Sequence, residues 1–122
     1  MSGTVTDTSD ATLKDIVSNT TLTVEQIANA PAVNFTWKKD TDKEDKKVNV
    51  GTLAQYWNVV LPEAVKESKD GKLSMAYGNA ALVSSIVTAK EVVALKQENE
   101  DLKQRISQLE EWVNNLRNSL NN

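Results

Sequence analysis

The sequence predicts an α+β chain: a small globular part containing a β-hairpin, followed by a long C-terminal helix that forms a parallel trimeric coiled coil. Three observations carry this. Residues 33–53 alternate apolar and polar side chains on both sides of a charged run, the period of two that marks half-buried strands. From about Asn79 onward there is neither Gly nor Pro. Within that stretch Val92, Leu95, Asn99, Leu102, Ile106, Leu109, Val113, Leu116 and Leu120 alternate spacings of three and four, which is a heptad seam. The expected organisation is an extended arm at 1–8, a globular part at 9–78 and a helix with its coiled coil at 79–122.

Along the chain, Ser9 to Asn19 reads as a short capped turn of helix, with Ser9 or Asp10 as N-cap. Leu22, Val24, Ile27 and Ala30 form a second short apolar segment that Pro31 stops. Val33 to Trp37 alternates as a strand, Lys38 to Lys47 is a solvated charged loop, and Val48 and Val50 resume the alternation to close an antiparallel hairpin. Gln55 to Val65 reads as a short helix or turn around Trp57, Val60 and Leu61. Asp70-Gly71 signals a turn ahead of a brief strand at Leu73 to Tyr77. The three Trp residues are expected to be core or interface anchors.

Helix from Ala89 to Asn122 would be roughly 50 Å long, at 1.5 Å per residue. Such a helix cannot bury its seam against so small a body, so an oligomer is expected. Val92, Asn99, Ile106, Val113 and Leu120 take position a, and leucine fills every d. In a parallel, in-register assembly, position g of one helix faces e of its neighbour. The facing pairs are Glu91–Lys96, Glu98–Lys103, Arg105–Glu110 and Trp112–Arg117. Three are opposite charges and the fourth allows a cation–π contact; they select orientation more than they stabilise. Asn99 at a, with leucine at d, favours two strands. Against that, Arg105 to Glu110 is similar to the trimer-specifying Arg-apolar-x-x-apolar-Glu pattern, and a homotrimer is the expectation. A dimeric scaffold is the reading favoured if Asn99 dominates.

Composition narrows the chemistry. The 122 residues contain 14 Lys and Arg against 17 Asp and Glu, a net charge of −3, so no strongly basic surface for nucleic acid is expected. There is no Cys and no His, which excludes zinc fingers, iron–sulfur clusters, thiol nucleophiles and Ser-His-Asp triads. No metal and no cofactor is expected. The opening MSGTVTDTSD lacks the basic and apolar regions of a signal peptide, and the most apolar run, Ala80 to Ala89, is too short to span a bilayer; no membrane partner is expected. What remains is Ser or Thr activated by Lys. Ser9 and Lys14, five apart, are one of several such pairs, and spacing alone favours a helix cap and a surface lysine.

Taken together, the segments resemble one family. Ser9-Asp10-Ala11-Thr12-Leu13-Lys14-Asp15-Ile16 resembles the opening Ser-Asp-x-x-Leu-Lys-x-x-Ile of the intramolecular chaperone domain of phage endosialidases. Phe35-Thr36-Trp37-Lys38 resembles its Phe-x-Trp strand. Gly51-Thr52-Leu53-Ala54-Gln55 and Leu61-Pro62-Glu63-Ala64-Val65 resemble its Gly-x-x-Ala-Gln and Pro-Glu-x-Val block. Asp70-Gly71 with Met75-Ala76-Tyr77, and Ala81 to Glu91, are similar to its turn-and-strand and to the helix entering its coiled coil. The chain departs from the pattern at Tyr56-Trp57, where an acidic residue is usual, and at Ala76, where Asp is common.

The resemblance implies a C-terminal chaperone that trimerises, registers an upstream phage tail fibre or spike of the same polypeptide, and then cuts itself off during virion assembly in the bacterial cytoplasm. It implies Ser9 as nucleophile, Lys14 as general base, Thr8–Ser9 as the scissile bond, and residues 1–8 as the end of the fibre. Backbone N–H groups of the turn would be the default oxyanion donors. The rival of another class is a non-catalytic trimeric fibre tip or adaptor in which Ser9 is only a cap.

Overall fold

The computed structural model describes Thr4 and residues 6–121; of the expected arm, Met1–Gly3 and Val5 lie outside the described residues, as does Asn122 at the end of the helix. The elements run as a single 3-10 turn at Ala11–Leu13, then α1 (Val24–Ala28), β1 (Val33–Phe35), a 3-10 turn at Lys38–Asp40, β2 (Asn49–Gly51), α2 (Ala54–Val60), a 3-10 turn at Pro62–Ala64, β3 (Val65–Glu67), β4 (Leu73–Met75) and α3 (Tyr77–Leu120). The α+β class and the long terminal helix follow the sequence reading.

Each short element is held by local chemistry. Thr23 and Gln26 form a capping box on α1, two reciprocal side-chain-to-backbone bonds that satisfy donors otherwise stranded at the helix start. The β3–β4 hairpin turns at Ser68–Lys72. There Gly71 takes φ +82, a conformation that costs a side-chain-bearing residue free energy. Asp70 accepts from the Ser68 hydroxyl and from the Lys72 N–H, and both bonds hold its carboxyl below the ordinary carboxylate range.

β1 and β2 pair antiparallel, Val33 with Gly51, Asn34 with Val50 and Phe35 with Asn49. Directly paired residues share a face of the ladder. Val50 therefore lies with Asn34 on the outer face, and Val48 and Val50 are 63% and 77% exposed. The expected hairpin forms, in the register that turns these valines outward and sets Asn49 and Gly51 beside the strand's apolar side. A Cβ on Gly51 would come within 3.2 Å of the Phe35 ring.

The core is small. Leu22, Trp57, Leu61, Ala64 and Ala80 are buried, with Ile27, Ala30, Tyr56, Val60, Val65, Met75 and Val83 packed against them. Trp57 sits at its centre on α2 and donates its indole N–H to Thr52 Oγ1 at 2.9 Å. Tyr56 donates its hydroxyl to the Gln26 carbonyl at 2.8 Å, tying α2 to α1. Of the three tryptophans only Trp57 is a core anchor; Trp37 and Trp112 are more than half exposed.

Three expectations change. The helical turn expected over 9–19 shortens to Ala11–Leu13, because Leu13, Ile16 and Val17 find nothing in their own chain to pack against. The strand expected over Leu73–Tyr77 ends at Met75, and α3 begins at Tyr77 with Gly78 inside its first turn. Val65, read as the end of a short helix or turn, instead begins a strand, Val65–Glu67, paired with β4.

α3 is 44 residues long, about 66 Å at 1.5 Å per residue. It docks on the body through buried Ala80 and part-buried Val83, Ser84, Val87 and Glu91, while every described residue from Val92 to Asn121 is exposed. The apolar seam residues are open, from 42% at Leu102 to 78% at Leu120. By length and composition alone α3 is apolar enough to cross a membrane, against the expectation that no segment would be. Its apolar stretch is interrupted by Ser84, Ser85, Thr88, Lys90 and Glu91, and one side of it is the surface that packs on the body.

A core of this size has no redundancy. Trp57→Ala should cost about 3–5 kcal/mol and abolish the near-ultraviolet circular dichroism of the globular part. Loss of less than about 1 kcal/mol would show that Trp57 is not the centre of the core.

Candidate active site

The chain between Ser9 and Lys14 makes one tight turn. Leu13 N–H donates to the Asp10 carbonyl at 3.1 Å and Lys14 N–H to the Ala11 carbonyl at 3.2 Å. Asp10 is the N-cap: its carboxylate accepts from the Thr12 N–H at 2.9 Å and from the Thr12 hydroxyl at 2.8 Å. The backbone bond, then the side-chain bond, holds the Asp10 carboxyl below its ordinary value.

Because Asp10 takes the cap, the Ser9 hydroxyl is not used by the helix start. Lys14 Nζ instead donates to Ser9 Oγ at 2.7 Å. The two residues singled out from sequence are thus brought within hydrogen-bond reach by the five-residue path between them, the arrangement a nucleophile and its base require. The sequence reading left open whether Ser9 or Asp10 capped the turn; the geometry gives it to Asp10. Asp10 and Thr12 were not read as part of the site, although Asp-x-Thr just after a candidate nucleophile is the spacing of a side-chain-to-backbone turn.

The turn's own amides are largely committed. The N–H groups of Thr12, Leu13 and Lys14 already donate to Asp10 Oδ1, the Asp10 carbonyl and the Ala11 carbonyl. These three amides are occupied, which leaves the expected oxyanion role to other amides of the turn.

Ser9 and Lys14 are both exposed. The apolar residues around them are exposed as well, Leu13 at 74%, Ile16 at 84% and Val17 at 96%. A cleft lined by Val17, Thr20, Val59, Leu61, Pro62 and Val83 lies where this segment joins the body; neither Ser9 nor Lys14 lines it. Among the described residues no group of three or more acidic side chains comes together to hold a metal ion.

The other interface residues expected from sequence, Val92, Leu95, Asn99, Leu102, Arg105, Ile106, Leu109, Glu110, Val113 and Leu116, all lie on the free length of α3. Among the described residues the one intrachain ion pair is Lys43 with Asp40, at 3.1 Å. Arg105 and Glu110 therefore make no ion pair within their own chain.

No curated protein matches the chain. Residues 9–66, which carry the Ser9–Lys14 turn, the β1–β2 hairpin and α2, match the family model Peptidase_S74, described as chaperone of endosialidase; the resemblances noted from Asp70 onward lie outside the matched residues. Over these residues the chain is similar to the endosialidase-chaperone family.

Proposed function

We propose that the chain is an intramolecular chaperone that trimerises through α3, registers an upstream phage tail fibre or spike of the same polypeptide, and then releases itself by autoproteolysis between Thr8 and Ser9. The observation that carries this reading is the 2.7 Å hydrogen bond between Lys14 Nζ and Ser9 Oγ, formed on a turn whose cap is supplied by another residue. The family match supports the chaperone role, and the open seam of α3 supports assembly. The setting is virion assembly in the host cytoplasm.

In the reaction, Lys14 takes the hydroxyl proton as Ser9 Oγ attacks the Thr8 carbonyl carbon. The peptide C–N bond breaks, the proton passes to the freed Ser9 amine, and an ester joins the Thr8 acyl group to Ser9 Oγ. Water then hydrolyses the ester, leaving a Thr8 carboxylate and restoring the Ser9 hydroxyl. A lysine in water carries its proton at neutral pH, and only burial or a neighbouring cation frees its lone pair. In the single chain both residues are open to water. Covering the segment on assembly is therefore what arms the base, and it makes cutting conditional on correct folding.

A chain carrying its native upstream sequence should separate during folding into two pieces, the C-terminal one beginning at Ser9. Ser9→Ala should stay intact yet assembled. Lys14→Ala should do the same, and Lys14→Arg should also fail, because guanidinium keeps its charge. Intact mass with N-terminal sequencing decides it: equal cleavage in wild type and Ser9→Ala would leave the non-catalytic fibre tip as the better reading.

Sedimentation equilibrium should return a trimer, and a dimer mass would revive the two-stranded reading favoured by Asn99. Replacing Leu102 and Leu109 together with Ala should dissociate it, at about 2–5 kcal/mol per buried leucine, and should stop cleavage along with assembly.

Asp10→Ala should slow cleavage several-fold, whereas Asp10→Asn, which keeps a side-chain acceptor, should retain most of the rate. The lowered carboxyl of Asp10 means that the ionised cap is complete above the unfolded carboxylate value and is lost as pH falls through the lower folded one. Turn-specific NMR shifts of Thr12 should follow that titration in wild type and stay flat in Asp10→Asn. Titration at the unfolded value would show that the cap bonds do not form in solution.

A further inference from the structure

α3 carries a second apolar stripe that neither the seam nor the body uses. Leu82, Ile86, Ala89 and Val93 recur at spacings of four, three and four, all exposed, with Val93 at 66%. In the heptad frame set by Val92 at a, they occupy e, b, e and b. The chain's own body docks on the other flank, at positions c, f and g: Ala80, Val83, Ser84, Val87 and Glu91. At 100° per residue, body, seam and stripe are spaced by roughly a third of a turn each.

The stripe also stops where the body stops. Beyond Val93 the following e and b positions are Lys96, Glu100, Lys103, Ser107 and Glu110, all polar. An apolar flank confined to the length of helix beside the globular part is matched to something at that height.

Parallel coiled-coil geometry says what it is. The g flank of one helix adjoins the e flank of its neighbour, so a body docked on the c/g side of one copy necessarily stands beside the b/e side of the next. We propose that the Leu82–Val93 stripe receives the globular part of a neighbouring copy, so that each body is clasped between two helices, its own and one from the adjacent chain. This rests on the parallel oligomer proposed above and adds to it a contact outside the seam.

The chain has no cysteine, so a single introduced thiol reports without background. In the full chain, Val93→Cys and, as control, Gln104→Cys at an outward f position should both sediment as the wild-type oligomer. At concentrations where assembly is complete, the thiol at 93 should react with a water-soluble disulfide reagent at least tenfold more slowly than the one at 104. Dilution or seam substitution that dissociates the chains should bring the two rates together. An oligomeric mass with equal rates would overturn the stripe contact and leave the oligomer standing; a monomeric mass at every concentration would overturn both. Ile86→Cys, buried by the same contact, should repeat the protection seen at 93.

Discussion

α3 has three apolar faces, and the chain has enough body to cover one of them. This constraint governs the rest of the molecule. Among the described residues five side chains of the core are buried, and one of them, Ala80, belongs to α3 itself. The other two faces, the a/d seam and the Leu82–Val93 stripe, stand in water in a single chain, where exposed apolar area of that extent is unfavourable. In the parallel assembly proposed above, copies of the same sequence would cover both, seam against seam and body against stripe.

The candidate active site follows the same logic at smaller scale. Its geometry is local: a capped turn places Lys14 on Ser9 with no help from the rest of the fold. Its environment is absent, since Leu13, Ile16 and Val17 are among the most exposed apolar residues of the chain. The hydrogen-bonded pair is preformed while its surroundings stay open to water. The turn places the two side chains together, and burial or a neighbouring cation is what changes how readily a lysine gives up its proton.

Much of this was legible in the sequence, for unequal reasons. The seam was readable because nine positions keep one spacing over 29 residues, too long a run for a chance pattern. The β1–β2 hairpin was readable as an element but not in register: the charged run at 38–47 hides how many residues the turn consumes, and a slip of one exchanges the two faces. β3 escaped notice because three residues carrying one apolar side chain hold no periodicity. Ser9 and Asp10 are both good caps, so only the backbone could show which one was used and which was left for Lys14. The stripe was overlooked because it runs beside the stronger seam and ends after four residues.

The joint between body and helix has a mechanical meaning. β4 ends at Met75 and α3 begins at Tyr77, so a single residue, Ala76, is all the chain between sheet and rod, and its N–H is itself fastened to the Ala64 carbonyl at 2.8 Å. There is no slack to absorb torque. Any rotation of α3 about its own axis is imposed directly on the β3–β4 hairpin, in the manner of a keyed shaft. One extra residue at this point would turn the body by about 100° around the helix, setting strand attachment and helix docking against each other.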